Sequence, residues 1–192
     1  MKTLKIAASI VFISLSNLAF SQHDHHASAH QKAETQREIK DLGKVDNAVR
    51  EQIDKALQSY FEVKNALVAT DGKLAKQKAK ALSQLLKSIE SSKLNAEQQQ
   101  VYAKLSKELA FDAEHISETE DVAHQKDHFA DLSKNMFQLV KVFKANASPV
   151  YYDYCPMAFN NKGGYWVSEQ KEIANPYFGN KMLKCGSVKE AL

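Results

Sequence analysis

Apolar residues recur at helical spacing through the middle of the chain. Val45, Val49, Ile53, Leu57, Tyr60, Phe61, Leu67 and Val68 fall at intervals of three, four and seven, with charged residues between them. Asp71-Gly72 breaks that run. A second amphipathic segment over 73–90 places Leu74, Leu82, Leu85, Leu86 and Ile89 on one face. After the break at 91–95, Asn95 followed by Glu97 and Gln98 reads as a helix N-cap with acidic support in the first turn. A third helix is predicted over 96–116 with Val101, Leu105, Leu109 and Ile116 inward. A fourth is predicted over 121–145 with Phe129, Leu132, Met136, Leu139, Val140 and Phe143 inward. No segment between 45 and 145 has the period of a strand. The fold class expected is all-α, because four amphipathic helices joined by short polar connections bury their faces best as an antiparallel four-helix bundle.

The pattern changes at Asn146-Ala147-Ser148-Pro149. Residues 146–192 hold all three prolines, five of the seven tyrosines, the single tryptophan, both cysteines and four of the six glycines. This is turn chemistry with aromatic packing, and it predicts an irregular or short-stranded aromatic cap at one end of the bundle. So short a tail cannot bury a core of its own, so 45–192 is expected to be one domain.

The other end reads differently. A basic start with Lys2 and Lys5, an apolar run from Ile6 to Phe20 and the small-x-small pattern Ala19-Phe20-Ser21 predict a signal peptide over 1–21. The apolar run is short for a membrane span. The expectation is therefore a periplasmic or secreted protein that is not membrane-embedded after cleavage. Residues 22–44 open with His23, His25, His26 and His30 and lack an apolar period, which predicts a flexible His-rich N-terminus able to gather metal weakly. Loss of Lys2 and Lys5 lowers the net charge from +3 to +1, leaving no basic excess for nucleic acid.

The chemistry concentrates in the cap. Cys155 and Met157 flank Pro156, and Met182 and Cys185 stand three apart. Thiolate with thioether is a donor set that selects a soft ion such as Cu(I) or Ag(I). The competing reading is a structural Cys155–Cys185 disulfide, the ordinary fate of two cysteines in an exported protein. Sulfurs at bonding distance would fit the disulfide, and sulfurs about 3.5–4 Å apart would fit a shared ion. Histidine is a further source of ligands. His124 and His128 stand i,i+4 on the fourth helix, and His115 near the end of the third could join the cap site. Glycine-rich phosphate loops, Gly-x-Ser-x-Gly, His-Glu-x-x-His and Cys-x-x-Cys are absent from the sequence, so no enzymatic activity is expected.

The tail reads Tyr154-Cys155-Pro156-Met157-Ala158-Phe159, then Asn175-Pro176-Tyr177-Phe178-Gly179, then Met182-Leu183-Lys184-Cys185-Gly186. In this order the motifs resemble the bacterial domain of unknown function 3347 family over about Val45 to Glu190. The resemblance implies an exported protein of Bacteroidetes type that handles copper, silver or a related cation. It offers Cys155, Met157, Met182 and Cys185 as ligands and a heavy-metal efflux adaptor or another periplasmic metal carrier as partner. Cys-Pro-Met also resembles the start of the motif Tyr-x-Cys-Pro-Met-His-Pro, although Ala158 and Phe159 stand where that motif has His-Pro. The expected function is Cu(I) or Ag(I) buffering or delivery to an efflux system. The alternative is a non-catalytic interaction module that docks a partner through Tyr165, Trp166, Tyr177 and Phe178.

Overall fold

The computed structural model describes residues 42–192. The predicted signal peptide, nearly all of the His-rich stretch and His23, His25, His26 and His30 lie outside the described residues.

The helical pattern folds as four long helices packed against one another: α1 (Asn47–Val68), α2 (Gly72–Ser88), α3 (Ala96–Glu118) and α4 (Val122–Phe143). Each packs on its neighbour in sequence, and α4 also lies against α1. Each helix opens on a side-chain cap that satisfies otherwise unpaired N–H groups. Asp46 accepts from Ala48 and Val49, Asp71 from Leu74, and Asp121 from Ala123, while Asn95 and Gln98 form a reciprocal capping box. The inward faces of α1 and α4 are buried as their spacing requires, from Ile53 and Leu57 to Leu132, Met136 and Phe143. Leu74 departs from its expected place and is exposed. Asp71-Gly72, read as the break after the first helical run, does separate α1 from α2, and it also opens α2 with Asp71 as its N-cap. Glycine is required at 72 because a Cβ there would lie 2.2 Å from the Glu120 carbonyl oxygen. No helix among the described residues is long and apolar enough to cross a membrane.

The all-α expectation needs correction at the C-terminus. The cap is not irregular but carries a three-stranded antiparallel sheet, so short strands are what forms there. Its strands are β1 (Tyr151–Cys155), β2 (Gly164–Ser168) and β3 (Ser187–Ala191), in the order β2-β1-β3. Tyr-Tyr-Asp-Tyr-Cys and Gly-Tyr-Trp-Val-Ser are rich in aromatic and β-branched residues suited to a pleated, half-buried surface. Asp153 pairs with Trp166 and Cys155 with Gly164 across β1 and β2. On the other side Tyr154 pairs with Ser187, with an irregularity between Tyr152 and Asp153.

β2 is an edge strand whose outer groups are covered rather than left open. The Tyr60 hydroxyl, from α1, accepts from the Val167 N–H at 3.1 Å, and the Tyr177 hydroxyl donates to the Tyr165 carbonyl. Both of these backbone groups point away from β1, and leaving them bare in an apolar setting would be costly. Tyr60 also meets Ser133 of α4 at 2.7 Å, and Ser133 donates to the Phe129 carbonyl. The sheet is thereby tied to two helices of the bundle.

Candidate functional site

The two cysteines come together because β3 runs back beside β1. With Tyr154 opposite Ser187, the end of β1 and the residues leading into β3 are neighbours. The sulfurs of Cys155 and Cys185 lie 2.9 Å apart and are not joined in a disulfide. Cys155 is fully buried, whereas Cys185 is partly exposed. The hydrogen bond to Cys155 and then burial push the Cys185 thiol above its ordinary pKa, so it is protonated at neutral pH.

Asn175 holds this turn in place. Its side chain is completely buried, donates to the Cys185 carbonyl at 2.7 Å and accepts from the Tyr177 and Phe178 N–H groups. Its own N–H donates to the Leu183 carbonyl. The Cys185 N–H donates to the Met182 carbonyl at 3.0 Å, which closes a single turn between the two residues. Gly186 follows with φ +147°, and a Cβ there would lie 2.8 Å from the Trp166 ring. The backbone passes too close to the indole for any side chain.

On the opposite side of the pair, Pro156 and Met157 open the loop from β1 to β2. Met157 is half exposed (49 %) and Met182 is partly buried. Phe159, Asn160 and Asn161 all adopt left-handed backbone conformations, with φ of 52°, 55° and 67°. Such a conformation costs a non-glycine residue about 1–2 kcal/mol. At Phe159 the ring packs against Tyr177, 5.0 Å between centroids, which helps to hold it there.

Two further groups of titratable residues stand out. Below the sheet, Asp153 is fully buried, and neither of its carboxylate oxygens has a hydrogen-bond partner among the described residues; the same is true of the Trp166 indole N–H. Burial pushes Asp153 up to about 6, against the opposing pull of Lys64 and the facing Trp166. Lys64 is itself buried and bonds Glu169 at 2.6 Å. Burial would raise Glu169, but hydrogen bonds from Lys64 and Asn65 outweigh it and hold the carboxyl below its ordinary value.

The second group lies on the α3–α4 surface. The ring of His128 sits 4.6 Å from that of His115 and 4.8 Å from that of His124, and Phe111 lies 4.1 Å from His115. His128 Nδ1 bonds Asp112 at 3.0 Å, and His115 Nδ1 bonds the Phe111 carbonyl at 2.9 Å. Burial raises Asp112 to about 6, partly offset by His128. As placed, no set of three or more His, Cys, Asp or Glu side chains among the described residues converges to hold a metal ion.

A family model described as a protein of unknown function (DUF3347) matches residues 56–148. Over that span the chain is similar to the DUF3347 family. No curated protein matches it, and no solved structure does. The match runs from within α1 to just short of β1, so the cap with Cys155, Met157, Met182 and Cys185 lies beyond the span similar to DUF3347. The resemblance read from the tail motifs extends further than the match, which falls on the helices.

Of the predicted site residues, the fold brings Cys155 and Cys185 into contact and places the two methionines on the segments that carry them. His115 joins His128 and Phe111 on the bundle through its ring contacts and hydrogen bond. Sequence reasoning did not single out Asp112, Asn175 or Asp153. An aspartate two positions before Cys155 on a strand shares its face. That spacing was the available signal for Asp153, but nothing in the local pattern marks Asn175 as the clamp on Cys185.

Proposed function

We propose that this protein is a non-catalytic, exported binder of a soft monovalent cation, Cu(I) or Ag(I), anchored on Cys155 and Cys185. Met157 and Met182 supply thioether donors from the flanking turns, and the bound ion is buffered or passed to an efflux adaptor or another carrier. The observation that carries this reading is the approach of two sulfurs, thirty positions apart in the chain, to 2.9 Å at a partly exposed turn. Thiolates with thioethers select soft ions. Binding exchanges two thiol protons for one cation and leaves a bis-thiolate complex of net charge −1. Because the Cys185 pKa is raised, that exchange opposes binding at low pH, and affinity should increase with pH.

The test is anaerobic Cu(I) titration of the fully reduced protein against a chromophoric chelator. One equivalent should bind, more tightly at pH 8 than at pH 6, and Cys155→Ser with Cys185→Ser should abolish it. Uptake by the double variant equal to that of the parent would overturn the assignment.

The second reading is an interaction module closed by a Cys155–Cys185 disulfide. It is favoured by the same distance, because two thiolates around one ion with bonds of about 2.3 Å stand roughly 3.7 Å apart. At 2.9 Å the pair is closer than that, so metal binding has to spread the sulfurs, whereas oxidation has to draw them together. A thiol count on protein isolated without reductant separates the two: two free thiols for the metal site, none for the disulfide.

A further inference from the structure

We propose that His115, His124 and His128, with Asp112 behind them, form a second metal site, built from nitrogen donors for a borderline divalent cation of the Zn(II) or Cu(II) class. It lies on the α3–α4 surface and uses neither the cap nor its sulfurs.

The hydrogen bonds define which nitrogen is available. His115 Nδ1 faces the carbonyl oxygen of Phe111, which can only accept, so Nδ1 carries the proton and the neutral ring keeps its lone pair on Nε2. His128 Nδ1 faces the Asp112 carboxylate, and the same tautomer follows. A histidine whose Nδ1–H is held by a carboxylate or a backbone carbonyl, with Nε2 free, is the arrangement that orients imidazole toward a metal and raises its basicity. Here two neighbouring rings have that support. His124, one turn before His128, supplies a third imidazole 4.8 Å from it.

Position and packing fit the same use. Asp112 is buried while His115 and His128 are partly exposed and His124 is exposed, so the carboxylate is fixed and the rings face solvent. The rings are tilted or edge-on to one another rather than convergent, with 31° between the planes of His115 and His128 and 63° between those of His124 and His128. His124 must swing inward, with His115 and His128 pivoting about their Nδ1 hydrogen bonds, to bring the donor nitrogens to a common point about 2.0–2.1 Å from the ion. Imidazole suits Zn(II) and Cu(II) better than it suits the soft ion assigned to the cysteines. The two sites should therefore be selective for different cations.

The experiment uses the full chain carrying Cys155→Ser, Cys185→Ser, His23→Gln, His25→Gln, His26→Gln and His30→Gln, so that the other thiols and imidazoles are gone. Zn(II) is titrated calorimetrically, and the imidazole nitrogen signals are followed by NMR. One equivalent of Zn(II) should bind, and only the Nε2 resonances of the bundle histidines should shift as coordinated nitrogens. His115→Gln and His128→Gln should each weaken binding at least about tenfold, and Asp112→Asn, acting through His128, about tenfold. Circular dichroism on each variant establishes that the bundle is folded. The proposal is overturned if the background chain takes up no Zn(II), or if a folded His115→Gln/His128→Gln chain binds as the background does.

Discussion

Asp153 is the residue whose environment departs furthest from its chemistry. Its carboxyl is fully buried and unpartnered, within reach of the Lys64 charge, with a pKa raised from 3.8 to about 6. The sign of its effect follows from that direction. In the folded protein the group holds its proton to higher pH than in the unfolded chain. Its favourable contribution is complete below about pH 4 and is lost as pH rises through 6. Above that, folding must keep a carboxylate in an apolar site. Asp153→Asn removes the titration, so its stability relative to the parent should rise by on the order of 2 kcal/mol between pH 4 and pH 7. Urea unfolding of both proteins across that range is the measurement, and parallel curves would show that the buried carboxyl does not titrate as its surroundings require.

Among the elements, the helices were readable because each carries its own instructions. The apolar period marks the face, and an Asp or Asn stands where each N-cap is needed. Asn95 illustrates this, since its side chain accepts from Gln98 N–H at 2.9 Å while Gln98 bonds back to Asn95 N–H at 3.0 Å. Gln98 also donates to the Leu42 and Lys44 carbonyls and so pins the chain ahead of α1 to the start of α3. Asn95→Ala should cost about 1 kcal/mol in a thermal or urea melt. Gln98→Ala should cost more, because it also bares a buried carbonyl at Leu42 and a part-buried one at Lys44. Equal losses would show that the tie to Leu42 and Lys44 adds nothing. The strands were harder to place because their instructions are not local. β1 and β2 are separated by a loop with three consecutive left-handed residues, and β3 returns only after the Asn175 loop. Gly163-Gly164 stands at the first connection, but the loop from Pro156 to Gly163 is longer than the two-residue hairpin such a pair announces, and no such pair marks the second.

For the whole molecule, the question is what makes bundle and cap a single folding unit. The Asn175 clamp on Cys185 and the approach of the two sulfurs both depend on pairings between segments far apart in the chain, which neither spacing nor composition expresses. The docking of the cap depends on Tyr60, legible in the sequence only as one apolar position of α1. Its hydroxyl joins Ser133 of α4 to the outer edge of β2. Burial pushes that phenol far above its ordinary pKa, so it remains a neutral hydroxyl at any pH at which the protein folds. Tyr60→Phe keeps the ring stacked on Phe129, 5.2 Å away, and removes only the oxygen. The Ser133 hydroxyl still has the Phe129 carbonyl, but the Val167 N–H is left buried without an acceptor, which costs about 1–3 kcal/mol. Hydrogen exchange locates the loss. If the cap is held to the bundle through this hydroxyl, β1 and β2 amides should exchange faster in Tyr60→Phe while α2 and α3 amides keep their protection. Uniform acceleration across all elements would mean that cap and bundle open only together, and unchanged exchange at Val167 would remove Tyr60 from the docking altogether.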